Sequence, residues 1–440
     1  MVRRAAVALV LAVGLTVPWI GVSLSGIAAT LDPGTTVLLS GIAVLGTAFL
    51  LAWAAETAEK DVPRAFAIAV LAVLAVAPEY AVDALYAWEA GQFAGTARGI
   101  EAGNLAVANM TGANRILIGL GWSGIALFTL FRSGAGGDRS VVRREGFLRD
   151  AVRLDHDIHL EVLFLALATL WAFLVPHSGG IGLVDTLVLV GLYVAYIGIV
   201  LRGSVEPVET THGVVHYLQS LSRPLRVTAV VVLFGYAGVL LLAAVKPFAH
   251  GLETLGTAVG LPSFFMIQWI APLASESPEL IVVAYLVNKA RTTAGFNALI
   301  SSKLNQWTLL IGTLVVVYSI ALGQYGTLSF DQKQAGEIWL TAAQSLFAPG
   351  LLVDFEFSIR EALALLVLFL SQVLVEFAIV RGVEVGLSSY EMLLVYTAIY
   401  VLASVWLFAR NRRAVAEVLE RSAVTVGFRD PPPAVAADDD

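Results

Sequence analysis

Two short runs carry the side chains best suited to holding a cation: Ala77-Pro78-Glu79-Tyr80 and Ser275-Glu276-Ser277-Pro278-Glu279. Both lie inside long apolar segments, where an ionised carboxylate costs about 2.5 to 3.5 kcal/mol on insertion scales and therefore marks function before structure. Proline lacks an N–H and clashes with the carbonyl four residues back. Pro78 and Pro278 are thus expected to free the carbonyls of Leu74 and Ala274 at membrane depth. A freed carbonyl beside a carboxylate suits a hard cation such as calcium, which takes about 6 to 8 oxygen ligands.

Helical spacing then selects the neighbours. Asp83 and Tyr86 share a face with Glu79, and Ser275, Glu276 and Val283 share one with Glu279. Each Pro-Glu segment precedes an apolar segment rich in small and amide residues. Asn109, Gly112 and Ala113 form one stripe on the first of these, and Ala298, Ser301, Ser302 and Asn305 the corresponding stripe on the second. The oxygen- and nitrogen-bearing members are candidate ligands, while the glycine and alanine members let helices approach closely. The two glutamates stand 200 residues apart, 79 to 279, so the chain contains an internal repeat.

The elements that must position these residues are membrane spans. Of 440 residues, 58% are hydrophobic and 14% charged, and the mean hydropathy is +0.81, far from a soluble domain. Apolar segments near 5–27, 36–55, 63–88, 100–131, 158–177, 181–201, 225–245, 261–287, 294–322, 337–353, 361–380 and 389–409 predict an all-α polytopic membrane protein of about twelve transmembrane helices. The segment 337–353, holding Glu337 and Pro349, is the weakest of them. The apolar run after Arg3 and Arg4 exceeds a signal peptide's core of about 7 to 15 residues, so it is read as a retained span.

This divides the chain into N-terminal spans at 1–131 with a first repeat at about 70–125, a cytoplasmic loop at 132–157, and connecting spans at 158–246. A second repeat follows at 261–322, then C-terminal spans at 337–409 and a cytoplasmic tail at 410–440. The tail's end, from Asp430 through Pro431, Pro432 and Pro433, is expected to be disordered. If successive loops alternate sides, one side collects most of the lysine and arginine, and the other only Arg98, Lys246, Lys333 and Arg381. The positive side is cytoplasmic, which puts both termini in the cytoplasm of a cell-membrane protein. Five spans separate the third from the eighth, so the two Pro-Glu helices run in opposite directions, an inverted-topology repeat with broken helices around a midplane site.

On these residues the chain resembles the cation/calcium exchanger superfamily, whose members include sodium/calcium, potassium-dependent and proton/calcium exchangers. The paired Pro-Glu spans at about 70–125 and 265–315, each followed by a small-residue span, look like that superfamily's two alpha-repeats, and the stretch from Glu337 to Phe347 is similar to bacterial members. The resemblance implies that Glu79 and Glu279 bind the transported cation between two broken helices. It also places Asn109, in Ala108-Asn109-Met110-Thr111-Gly112-Ala113-Asn114, where the family's Gly-Asn-x-x-Gly-Ser-Asn begins.

The chain departs from that pattern in places. Family members carry Ser or Thr three and four residues before the glutamate, where the first repeat here has Ala75 and Val76 and the second has Ser275 and Glu276. Arg115 and Lys303 lie within apolar spans, where a cation usually pairs with a carboxylate. They either modulate the charge of the Glu79, Asp83, Glu276, Glu279 cluster or form buried structural pairs. Glu161, Asp185, Gln372 and Glu376 are read as interhelical hydrogen-bonding groups rather than proton relays. His156, His159, His212 and His216 fall on one side without a third metal ligand.

Two functions remain in view. The first is a secondary active antiporter exchanging calcium or sodium for sodium or protons by alternating access around Glu79 and Glu279. The alternative is a transport-inactive scaffold or sensor locked by Arg115 and Lys303. The chain has no Gly-x-x-x-x-Gly-Lys-Ser/Thr motif to drive an ATP pump. Without cysteine it has no disulfide framework. Its expected partners are inorganic cations and the lipid bilayer, with no nucleic acid, no obligate protein partner and no cofactor beyond the transported cations.

Overall fold

The structure, a computed structural model, describes residues 2–132, 140–202, 213–261 and 265–426. His212 and the tail from Asp430 lie outside them. The long helices are α1 (Val2–Ser25), α2 (Pro33–Ala58), α3 (Arg64–Gln92), α4 (Ala97–Arg132), α5 (His159–Ala172) and α6 (Leu183–Val200). After the short α7 (Gly213–Gln219) come α8 (Arg223–Ala258), α9 (Met266–Ser275), α10 (Ser277–Asn288) and α11 (Thr292–Leu322). The chain closes with α12 (Gln332–Leu352), α13 (Ile359–Val380), α14 (Ser389–Arg410) and α15 (Arg412–Val426).

Their starts are written in the sequence. Asp32 accepts the Thr35 N–H at 3.0 Å with Pro33 in the first turn, and Ser358/Glu361 and Ser388/Glu391 close reciprocal capping boxes before α13 and α14. Without these caps, the first N–H groups of each helix would go unpaired near the membrane surface.

Among the described residues, nine helices are long and apolar enough to cross a membrane, and two bent spans add to them. One is α3, bent by 50° between Ala77 and Glu79; the other is the α9–α10 pair, bent by 44° at Glu276. These are the two Pro-Glu segments. The expected freed carbonyl of the second is not open, because the Ser277 hydroxyl donates to the Ala274 carbonyl at 2.7 Å. A serine one residue before the proline thus supplies the hydrogen bond that the proline removes.

The expected segment at 337–353 is the one that apolarity does not find. It is α12, a 21-residue helix buried along nearly its whole length against α4, α5 and α14. A helix shielded by protein on all sides meets no lipid and can be polar, which is why hydropathy alone passes over it. Two small sheets mark its ends. Strands β1 (Val141–Val142), β2 (Ala151–Arg153) and β5 (Glu356–Ser358) form one antiparallel sheet, and β3 (Gly180–Ile181) pairs with β4 (Leu328–Ser329) in the other. Helix α5 runs from β2 to β3, and α12 runs back from β4 to β5. The polar helix therefore covers the same distance between the two sheets as α5. These strands also give the 140–157 part of the expected connector an ordered core.

Burial separates the centre from the rim. In α1 and α13, 22% of the apolar span is buried within the protein, against 72% in α4. Close contact at the centre requires glycine: a Cβ on Gly112 of α4 would stand 2.1 Å from the Gln268 carbonyl of α9. Each small-residue helix also carries a π-helical turn, Leu117–Trp122 in α4 and Gln306–Leu310 in α11. Such turns are rare and cluster at functional sites.

Candidate functional site

The bends in α3 and α9–α10 bring both Pro-Glu segments to the centre of the bundle, beside α4 and α11. Glu79, Asp83, Glu276 and Glu279 are all buried there. Asn109, one of the sequence candidates on α4, bridges the first pair: its Nδ2 donates to Glu79 Oε1 at 2.7 Å and to Asp83 Oδ1 at 2.9 Å. The other oxygen of Glu79 accepts from the Ser275 hydroxyl of the second repeat. Glu79 is therefore held from both repeats at once. It lies within electrostatic reach of Glu276, which in turn faces Glu279.

The second repeat is less complete. Glu276 Oε1 accepts from Gln306 Nε2 at 2.5 Å. Glu279 is buried with neither carboxylate oxygen in a well-formed hydrogen bond, although Ser302 and Glu276 are its polar neighbours. An acceptor pair buried this way costs several kcal/mol unless a partner arrives. Asp83 Oδ2 is likewise without a donor.

The remaining candidates divide. Ser302 faces Glu279, but Ser301 turns to Tyr196, at 3.5 Å, whose hydroxyl donates to Glu161 at 3.0 Å. Asn305 accepts from the Tyr80 hydroxyl and approaches Tyr193 at 3.4 Å, so it ties α3 to α11 and α6 rather than meeting a carboxylate. Asp185 caps α6 and accepts from Trp171 at 3.0 Å.

The two intramembrane cations also part company. Arg115 pairs with Glu337 of α12 and stacks over Trp269, with its guanidinium carbon 4.7 Å from the ring centre. That removes it from the glutamate cluster. Lys303 donates to Asn114 Oδ1 at 2.7 Å and sits 4.0 Å over Trp307, with Glu276 in electrostatic range. Asn114 and Lys303 stand 189 residues apart, as do the first residues of the two π-turns, Leu117 and Gln306. The hydrogen bond thus joins equivalent positions of the two repeats.

Sequence reasoning missed Gln306 and Tyr80. Their signals were present: Gln306 is one turn beyond Ser302, and Tyr80 directly follows Glu79. Of the histidines, His159 contacts Thr425 and His156 stands 3.8 Å from Glu417, both on the terminal helix α15.

A cavity of about 150 Å³ reaches Glu79, Asn109 and Ser275, and its far wall is Lys246, His250 and Glu253 on α8. Among the described residues, no three acidic or histidine side chains are grouped to hold a metal ion. A cation at the cluster would therefore draw amide, hydroxyl or water oxygens along with the carboxylates, a mixed set that hard cations accept. Outside the spans, Asp61 is held below the usual carboxylate range by the Arg226 guanidinium, which donates to it at 2.6 and 2.7 Å. This pair ties the loop before α3 to the start of α8.

The sequence model of the sodium/calcium exchanger protein family matches residues 34–202 and 229–378. No curated protein matches the chain in sequence. Among solved structures, the H+/Ca2+ exchanger CAX is 42% identical, over 97% of this chain and 99% of that one, with a TM-score of 0.81. The sodium-calcium exchanger NCX_Mj soaked with 10 mM Na+ and zero Ca2+ is 16% identical, over 78% and 98%, with a TM-score of 0.54. The same exchanger soaked with 100 mM Na+ and 10 mM Sr2+ gives 16% and 0.55 over the same shares. At that identity the likeness is one of fold.

Proposed function

Because the chain belongs to the sodium/calcium exchanger protein family, a family of membrane transporters, we propose that it is a secondary active antiporter exchanging calcium for protons by alternating access around Glu79 and Glu279. The observation that carries this reading is the joint hold on Glu79, by Asn109 of its own repeat and Ser275 of the other. An ion there bears on both repeats, so binding and a change in their relative position are linked. The choice of calcium and protons rests on the likeness to the H+/Ca2+ exchanger CAX.

The chain crosses the membrane twelve times in this reading, α12 included, with both termini cytoplasmic. The cavity beside Glu79 then opens on the outer face, since Lys246 and His250 lie on the side poor in lysine and arginine. Against a locked scaffold stand the partners of the two cations, Glu337 for Arg115 and Asn114 for Lys303. The test is flux in proteoliposomes: calcium uptake should follow an imposed proton gradient, acid inside, and alkalinise the lumen in step. Uptake that follows only a sodium gradient would replace the proton, and no flux under any gradient would reinstate the scaffold.

A further inference from the structure

A second buried polar cluster lies apart from the paired glutamates, where α4, α12, α13 and α14 meet. Its carboxylates are Glu337 and Glu376 and its cations Arg115 and Lys333. Glu337 is well satisfied by Arg115 and by Gln268 Nε2 at 3.1 Å. Glu376 is not. It is 1% exposed, Lys333 is its ion-pair partner among the described residues at 3.5 Å, and Oε1 has no well-formed hydrogen bond.

Around it are buried polar groups without partners. Gln372, one turn before Glu376 on the same face of α13, is 1% exposed and has neither a donor for its oxygen nor an acceptor for its nitrogen. The hydroxyl of Tyr400 on α14, beside Arg115, is also unpaired. Buried polar atoms are nearly always paired, so several orphans in one place call for a ligand or water.

We propose that this cluster is a second site in the membrane, separate from the paired glutamates, which takes up a proton on Glu376. Charge selects the ligand. Two carboxylates face two cations, so a metal ion would bring net positive charge into a low-dielectric setting without a matching carboxylate. A proton is smaller and changes the partners as well. It arrives from water on the side where the Lys333 side chain is 28% exposed. The proton adds to a carboxylate oxygen of Glu376, and the Lys333 ammonium, released from that carboxylate with Glu337 still 4.0 Å away, shifts toward solvent with its charge intact. The new O–H is a donor of the kind that Gln372 Oε1 lacks. The charged groups facing Glu376 are Glu337 and Lys333 on α12 and Arg115 on α4. Glu337 remains with Arg115 throughout.

Infrared difference spectroscopy of the full chain in detergent, stepped between about pH 8 and pH 5, reads protonated carboxyl groups directly. The expected result is a carboxyl C=O band that persists in the Glu79→Gln/Glu279→Gln double variant and is lost in Glu376→Gln. Glu376→Asp keeps a band at a changed frequency, which guards against a Gln variant that fails to fold. In Lys333→Gln the band should grow in at a proton concentration about tenfold lower, the effect of removing one adjacent charge. A Glu376→Gln spectrum that superimposes on the wild type overturns the proposal. So does a loss of calcium affinity in Glu376→Gln matching that of Glu79→Gln, because Glu376 would then belong to the first site. Neither spectral arm measures transport, so this proposal can fail while the antiporter reading stands, and the reverse.

Discussion

The two repeats share a fold and differ in how far their carboxylates are satisfied. In the first, Glu79 has a donor on each oxygen, from Asn109 and from Ser275. In the second, Glu279 has neither, and a lysine stands where the first repeat has Asn114. Backbone symmetry therefore does not carry over to chemistry. The first repeat holds its glutamate from two sides and leaves one oxygen of Asp83 without a donor, whereas the second leaves both oxygens of its buried glutamate without a well-formed hydrogen bond, with Ser302 and Glu276 beside it.

Removing the charges tests that difference most severely. Glu79→Gln and Glu279→Gln should each lower exchange about a thousandfold, since a carboxylate next to a cation contributes several kcal/mol even at an effective dielectric near 20. Their thermal stabilities should diverge. Glu279→Gln removes a buried charge that has no well-formed hydrogen bond and should leave the melting temperature equal or higher, while Glu79→Gln sets an amide nitrogen against one of its two donors, Asn109 or Ser275, and should lower it. Proteoliposome flux and melting in detergent check both, and equal melting shifts would erase the asymmetry.

Next in size is the Arg115–Glu337 pair, the buried ion pair that the first repeat makes outside the glutamate cluster. Arg115→Gln strands Glu337 and should destabilise the fold by about 3 to 5 kcal/mol. Arg115→Gln combined with Glu337→Gln should recover most of that loss, as a double-mutant cycle would show.

A smaller effect sits at the membrane edge, where Asp61 and Arg226 fix the start of the first repeat's bent helix. Because Arg226 lowers the carboxyl's pKa, the pair's stabilisation is fully present above the unfolded value of about 3.9 and is lost only as pH falls through the lower folded value. Asp61→Asn should therefore cost about 2 kcal/mol, the scale of hydrogen bonds to a charged group. The cost should be the same at pH 5 as at pH 8. A loss that shrinks across that interval would mean that Asp61 is not the ionised partner.

Much of this was legible in the sequence for identifiable reasons. Pro78 with Glu79 and Pro278 with Glu279 marked the bends, because proline and a carboxylate at membrane depth are both costly, and Asn109 lay on the stripe that reaches Glu79. The fate of the freed carbonyl was not legible, since Ser277 reads equally as a site hydroxyl or a backbone cap. Nor was the division of the α11 stripe: Ser301 and Ser302 are consecutive and point about 100° apart on a regular helix, and spacing alone does not say which of them meets Glu279 and which, with Asn305, faces tyrosines. Helix α12 is too polar to be read as a span from apolarity because protein covers it along nearly its whole length.

Lys303 is the finest probe of the asymmetry, because it places a basic side chain in the second repeat's half of the cluster, within electrostatic range of Glu276. Its ammonium is committed to Asn114 and to the face of Trp307 rather than to a carboxylate, so it does not close the site as an ion pair would. Its charge still reaches Glu276 and opposes a divalent cation there. Lys303→Met keeps the length and apolar stem while removing the charge, and should tighten calcium binding about tenfold, close to 1.4 kcal/mol. Lys303→Asn should do the same while offering Asn114 a new amide. If the charge acts through Glu276, the gain disappears in a Glu276→Gln background, because the carboxylate that the lysine offsets is gone. If Lys303 only packs, both variants melt lower and their calcium competition curves overlay that of the wild type. Curves that overlay would make the difference between the repeats a matter of hydrogen bonding alone, with Glu279's missing donors as its whole content.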